Sequence, residues 1–247
     1  MKAFPPLPLG TTQPLPAPSQ TALLLDLDGT LLDIAPAPDQ VVVPETLLID
    51  LPALRRSLGH ALAVVTGRPV AQVDALLPGV PYAVAGEHGS ALRFSPDAAI
   101  ERQALPSAPA AWLHAAERLA QSMPGVLLER KHHGFVLHYR AAPSAGLPLR
   151  MALEAMIAPS ADTFVLLPAL MAWEVRPIGA DKGKAVDALM QHPPFAGRAP
   201  IFIGDDVTDE DGMRASRLHG GLGLRVADAF GSAQAVRAWL AACARLG

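Results

Sequence analysis

The stretch Leu23–Asp33, LLLDLDGTLLD, decides the fold. Three leucines run straight into Asp26 and Asp28, one residue apart, and the chain can reverse at Gly29. A short continuous apolar run closed by turn residues is the pattern of a strand buried on both faces of a parallel sheet. Two carboxylates delivered to the end of such a strand carry a desolvation cost, which a bound cation or a hydrogen-bonding partner can offset.

Similar runs recur at 60–65, 82–85, 200–203 and 221–226, each too short for a typical helix, and helix-length segments lie between them at 44–58 and 70–77. This alternation predicts an α/β fold with a doubly wound, parallel, Rossmann-like sheet. Residues 107–177 break the pattern. A helical segment there, APAAWLHAAERLAQ, precedes GVLLERKHHGFVLHYR, two alternating runs around a His-His-Gly turn. A second helix at 147–158 and two extended runs around Pro168, TFVLL and MAWEVRP, complete an expected four-stranded antiparallel sheet with helices on one face. The expected division is a Pro-rich extended tail (1–20), an α/β core (21–106 with 178–247) and an inserted α+β module (107–177) whose polar sheet face is free to meet a ligand. Period-2 alternation puts Glu129 with Lys131, Val136 with His138 and Arg140, and Glu174 with Arg176 on the polar faces of their strands; Leu128, Phe135, Leu137, Tyr139, Trp173 and Val175 lie opposite.

Composition narrows the function. The chain of 247 residues is 51% hydrophobic and 17% charged, with a formal charge of −3, so it has a core to bury and no basic footprint for nucleic acid. No window holds 18 uninterrupted apolar residues, and six prolines in the first twenty positions leave no apolar segment for a secretory signal. The single cysteine, Cys243, cannot form an internal disulfide, which suits a reducing compartment. The reading is a cytoplasmic monomer acting on a small molecule, without nucleic-acid or membrane partners.

In an open α/β sheet, ligands bind beyond the carboxyl ends of the strands. Those ends carry Asp26-Leu27-Asp28-Gly29-Thr30, Thr66-Gly67-Arg68, Gly86-Glu87-His88-Gly89 and Gly204-Asp205-Asp206, and GADKGKAV places Lys182 at a helix start. Acids, a hydroxyl and an ammonium at one edge suit Mg²⁺-assisted phosphoryl transfer: a hard cation takes carboxylates such as Asp26 and Asp205, and Thr66 and Lys182 donate to phosphate. Phosphate-monoester hydrolysis asks for about 20 kcal/mol of barrier reduction. A nucleophilic carboxylate divides that barrier into two steps, and a second carboxyl can protonate the leaving oxygen and then take a proton from water.

The ordered set DLDGT, VVTGR, DKGKA and GDDVTDED resembles the four motifs of the haloacid dehalogenase superfamily of aspartate-nucleophile phosphohydrolases. DLDGTLLDIAPAPDQVVVP, GEHG, LERKHHGFVLHYR, WEVRPIGADKGKA and GDDVTDEDGM are similar to trehalose-6-phosphate phosphatases across nearly the whole chain after the tail. The resemblance implies Mg²⁺-dependent hydrolysis of trehalose 6-phosphate, with 21–106 and 178–247 as the catalytic core and the inserted α+β module, 107–177, as the cap that sets substrate specificity. It makes Asp26 the nucleophile and Asp28 the acid/base. It assigns Mg²⁺ to Asp26, the Asp28 carbonyl and Asp205, phosphate to Thr66 and Lys182, and sugar hydroxyls to Glu129, Lys131, Arg140 and Glu174, with Arg68 and His88 as further substrate contacts. Many relatives carry serine where this chain has Thr66, and the hydroxyl is retained.

Neighbouring acids have plainer readings. Asp206 and Asp209 either support the site or cap the next helix, and Glu210 and Asp211 form its solvated first turn. Lys184 reads as a surface residue, His132 and His133 as hairpin-turn residues, and Trp112, Trp173 and Trp239 as packing anchors. Competing functions are another sugar phosphatase of the superfamily, acting on sucrose phosphate or mannosyl-phosphoglycerate, and a catalytically silent regulatory module. The intact acids and Lys182 argue against the second. GGLGLRV lacks the spacing of a nucleotide-binding glycine loop.

Overall fold

The apolar runs become strands and the segments between them helices. The computed structural model describes residues 3–11, 13–35 and 40–245. In chain order the elements begin with β1 (Thr21–Leu25), α1 (Glu45–Ser57), β2 (Leu62–Val65), α2 (Val70–Leu76), β3 (Ala83–Gly86), β4 (Ala91–Arg93) and β5 (Glu101–Arg102). Next come α3 (Ala110–Ser122), β6 (Leu127–Arg130), β7 (Phe135–His138), α4 (Gly146–Ile157), β8 (Phe164–Ala169) and β9 (Ala172–Pro177). The chain ends with α5 (Lys182–Leu189), β10 (Ala199–Gly204), α6 (Glu210–Leu218), β11 (Leu222–Arg225), α7 (Val226–Ala229) and α8 (Ala233–Ala244). It divides into two compact units, Met1–Gln103 with Asp181–Gly247, and Ala104–Ala180.

The first unit is built on a seven-stranded sheet in the order β11-β10-β1-β2-β3-β4-β5. The five strands from β11 to β3 are parallel, and β4 and β5 add antiparallel to one edge. Every residue of β1 is buried, because alternate side chains enter two different apolar layers. Leu23 and Leu25 pack with Leu51 and Leu54 of α1 and with Val236 and Trp239 of α8. Ala22 and Leu24 pack on the other face with Val186 and Leu189 of α5 and Met213 of α6. Burying each such leucine contributes about 2 kcal/mol, so a charge at Leu24 would disrupt one whole layer. The edge strands β4 and β5 have no sequence-level expectation, since they are three and two residues long and ER carries no apolar alternation.

The Pro-rich segment before β1 is extended but not idle. Phe4 and Leu7 are buried in the layer that α8 covers, with the Phe4 ring 5.6 Å from that of Trp239. Trp239 Nε1 donates to the Pro5 carbonyl at 3.0 Å, and Leu9 N to the Ala229 carbonyl at 3.1 Å. The reading of residues 1–20 as a tail missed this packing. Two isolated apolar residues among prolines show no period that would announce it.

The second unit is a four-stranded antiparallel sheet in the order β6-β7-β9-β8. Its register places Glu129, Val136, Glu174 and Leu167 in one row across the sheet. Phe135, Leu137 and Val175 project from the other face and form an apolar layer with Ala116 of α3 and Leu149 and Leu153 of α4. Trp173 belongs to that covered face, where its Nε1 donates to the Gly146 carbonyl at 2.8 Å. Pro168 lies inside β8 rather than between two strands. Because β8 is an edge strand, a residue without N–H leaves no ladder bond unmade on the open side.

Candidate active site

Chain order along the large sheet reverses at β1, which runs between β10 and β2, so the crevice at the carboxyl ends of β1 and β10 is the topological switch point. Asp26 follows β1 there, and its N–H continues the ladder to the Ile203 carbonyl at 2.9 Å. The turn after it needs glycine twice over. Gly29 has φ +78°, and a Cβ on it would fall 2.0 Å from Asp205 Oδ2. Thr30 Oγ1 donates to Asp205 Oδ1 at 3.4 Å, which ties the β1 loop to the end of β10.

Lys182, the first residue of α5, is buried and points its Nζ 2.6 Å from Asp26 Oδ1 and 2.5 Å from Asp209 Oδ1. Asp209 is fully buried, and its other oxygen accepts the N–H groups of Asp205 and Asp206, each at 3.0 Å. It therefore both caps the turn leading into α6 and anchors Lys182, which joins the two readings the sequence leaves open. Asp206 accepts from Val207 N, Glu210 pairs with Arg225, and Asp211 pairs with Arg214.

Asp26, Asp205 and Asp209 each offer a carboxylate oxygen within 4.8 Å of the others, an all-oxygen set that could hold a metal ion. Burial and the charges of Asp209 and Asp205 raise the Asp26 carboxyl well above its ordinary range, and Lys182 only partly opposes them. Burial, with Asp209 and Asp206 close by, pushes Asp205 up to about 6. Burial disfavours the Lys182 ammonium, but the carboxylates of Asp26 and Asp209 outweigh it and raise its proton affinity. Three carboxylates face one ammonium, so the surplus negative charge fits a cation of the hard class. The oxygens of Asp209 already serve Lys182 and two backbone amides, which leaves Asp26 and Asp205 better placed to bind an ion.

Asp28 stands apart from this group. Both of its oxygens accept from Arg68, Nε to Oδ2 at 2.7 Å and Nη2 to Oδ1 at 2.8 Å. Arg68 Nη1 in turn donates to Gln72 Oε1 at 3.3 Å. The sequence reads Arg68 as a substrate contact, and in the structure two of its N–H groups go to the Asp28 carboxylate. Thr66 is buried at the end of β2, and its Oγ1 accepts from Arg68 N at 3.2 Å. The next loop is laced to it: Glu87 N donates to the Arg68 carbonyl and His88 N to the Thr66 carbonyl. Glu87 and His88 are both left-handed, at φ +51° and +56°, a strain of about 1–3 kcal/mol each that functional loops retain. A Cβ on Gly67 would meet His88 Nε2 at 2.7 Å, so the imidazole needs a glycine beneath it.

In the second unit, Glu129 is held from two sides, by the Lys131 ammonium at Oε1 and by His138 Nε2 at 2.9 Å from Oε2. Burial alone would raise the Glu129 carboxyl, but the His138 hydrogen bond and the Lys131 charge outweigh it and hold it at about 2. Glu174, two strands across the sheet in the same row, is buried. Arg140 lies past the end of β7 and donates to the Leu170 carbonyl at 3.3 Å. His138 is legible in the sequence only as a face-mate by alternation, and Asp209 only as one of two acids that either support the site or cap the next helix. Their partners lie 9 and 27 residues away in sequence.

A family model described as trehalose-phosphatase matches residues 24–238, spanning both units. The chain belongs to the trehalose-phosphatase family. Within it, a probable trehalose-phosphate phosphatase of Sinorhizobium fredii is 39% identical over 245 residues, covering 91% of this chain and 88% of the relative. The trehalose-6-phosphate phosphatase of Escherichia coli is 39% identical over 223 residues, covering 89% and 81%. The fold of this trehalose-phosphatase family member is shared with the C-terminal domain of the C. albicans trehalose-6-phosphate phosphatase, with a TM-score of 0.75 at 19% identity over 92% of each chain. No helix among the described residues is long and apolar enough to cross a membrane.

Proposed function

We propose that the chain hydrolyses trehalose 6-phosphate to trehalose and inorganic phosphate. The observation that carries this reading is the buried Asp26–Lys182–Asp209 group beside Asp205, in a chain whose family match runs through both units.

Asp26 is the nucleophile: its Oδ forms a bond to phosphorus as the bond from phosphorus to the sugar oxygen breaks, leaving an aspartyl phosphate. Asp28 gives a proton to the departing sugar oxygen, so that a neutral alcohol leaves. Water then attacks phosphorus, its proton passes to Asp28, and the acyl-phosphate bond breaks to restore Asp26 and release phosphate. Lys182 and Thr66 donate to the phosphoryl oxygens, and Asp209 keeps Lys182 charged and aimed at Asp26. Asp26, Asp205 and the Asp28 carbonyl would hold Mg²⁺, which when bound neutralises charge on the phosphoryl group. Glu129, Lys131, Arg140 and Glu174 contact sugar hydroxyls, with His138 fixing Glu129. His88 and Arg68 border the substrate, Arg68 by orienting Asp28.

Phosphate release from trehalose 6-phosphate, measured beside glucose 6-phosphate, sucrose 6-phosphate and mannosyl-phosphoglycerate with and without Mg²⁺, tests the reading. A preference for trehalose 6-phosphate that requires Mg²⁺ supports it. Equal rates across the panel would remove the substrate assignment.

A further inference from the structure

One cation on the polar face of the small sheet carries buried N–H groups that no acceptor among the described residues takes. The Nε and Nη1 atoms of Arg176 are shielded from solvent and have no hydrogen-bond partner among the described residues. Arg176 lies in β9 two residues beyond Glu174, so both project from the same face, while Trp173 and Val175 between and beside them pack into the apolar layer. A glycine lets the backbone beside Arg176 come close at this point: a Cβ on Gly134 would stand 2.0 Å from the Val175 carbonyl oxygen and 3.2 Å from Arg176 Cα. Lys131 N donates to the Gly134 carbonyl, so Lys131 and Arg176 flank the same glycine.

A shielded guanidinium with unused N–H groups is a stability liability, and an apolar side chain of similar length would pack there at lower cost. Glu129 and Glu174 can only accept hydrogen bonds, and the Lys131 ammonium is engaged by Glu129. A polyol bound on this face could donate its hydroxyls to the two carboxylates, but its own oxygens would still need donors. The unused N–H groups of Arg176 are such donors in the neighbouring row.

We propose that Arg176 is a sugar-binding residue, whose Nε and Nη1 donate to oxygen atoms of the disaccharide and are held without a protein partner for that purpose. This rests on the sugar-phosphatase reading above and adds to it a specificity residue outside the set that the motifs supply. A free disaccharide and a free anion separate the two acceptors a guanidinium could serve.

The test is inhibition of the full-length enzyme by trehalose and, separately, by inorganic phosphate, in wild type, Arg176→Ala, Arg176→Met and Glu174→Ala, with thermal midpoints for each. The expected result for both Arg176 variants is a trehalose inhibition constant raised about tenfold or more, with the phosphate constant within about twofold of wild type. Arg176→Met should melt at or above the wild-type midpoint, since it removes a shielded charge. If trehalose inhibition survives in the Arg176 variants but is weakened in Glu174→Ala, the Arg176 assignment falls and the sugar face stands. If phosphate inhibition weakens instead, Arg176 serves the anion and the proposal is overturned. If trehalose does not inhibit even the wild type, the sugar-phosphatase reading falls and takes this one with it.

Discussion

Lys182 Nζ lies between two buried carboxylates, 2.6 Å from Asp26 and 2.5 Å from Asp209. The ammonium is what allows Asp26 and Asp209 to be buried together, so its removal leaves like charges facing each other without compensation. Lys182→Met is expected to lose about 3–5 kcal/mol of stability as well as activity. Urea unfolding of the variant would read this as a lower midpoint with an unchanged slope. Asp209→Asn, which keeps one acceptor for the backbone amides, should cost less than Asp209→Ala.

Arg68 engages both oxygens of Asp28. If Asp28 protonates the leaving oxygen, a disoriented Asp28 matters for a sugar alkoxide and matters little for a nitrophenolate, which leaves without a proton. Arg68→Ala should therefore lower kcat/KM for the sugar phosphate about 100-fold and for p-nitrophenyl phosphate by less than about fivefold. Combining it with Asp28→Asn should add little to Asp28→Asn alone. Equal losses on both esters would mean that Arg68 acts on the phosphate or on the fold.

Glu129 titrates at about 2 in the folded protein against an ordinary 4.5. A carboxyl depressed by folding contributes stability that is complete above its unfolded value and is lost as pH falls through the folded one. The stability difference between wild type and Glu129→Gln should therefore be largest above about pH 5 and should shrink on the way down to about pH 3. Chemical denaturation of both proteins across that window checks the sign. A gap that widened on acidification would contradict the pairing with His138 and Lys131.

The amino-terminal segment predicts a stability effect far from any chemistry. Phe4→Ala removes a ring that packs on Trp239 and should cost about 3 kcal/mol. Trp239 fluorescence should report the changed surroundings in the native baseline, with kcat on trehalose 6-phosphate unaffected.

These expectations divide along what a linear sequence can express. Local pattern fixed the elements that carry chemistry: the apolar run before Asp26, the proline and acid opening α1, and the alternation that put Glu129, His138, Glu174 and Arg176 on polar faces. Pairing at a distance was not legible. Nothing near Arg68 announces that Asp28, forty residues earlier, accepts from its Nε and Nη2, and nothing in the acid-rich stretch singles out Asp209 as the partner of Lys182. Elements too short to show a period were missed too, namely β4, β5 and the docked Phe4 and Leu7. Pro168 misled because the rule against proline in strands depends on whether the strand is central, which only the sheet order reveals.

The central claim is that Asp26 attacks the phosphate of trehalose 6-phosphate. Phosphate release from that substrate in the presence of Mg²⁺, compared between wild type and a folded Asp26→Asn variant, tests it most directly. The account predicts turnover by the wild type and none above background in the variant, because an amide cannot form the aspartyl phosphate. Turnover by Asp26→Asn at the wild-type rate would contradict it.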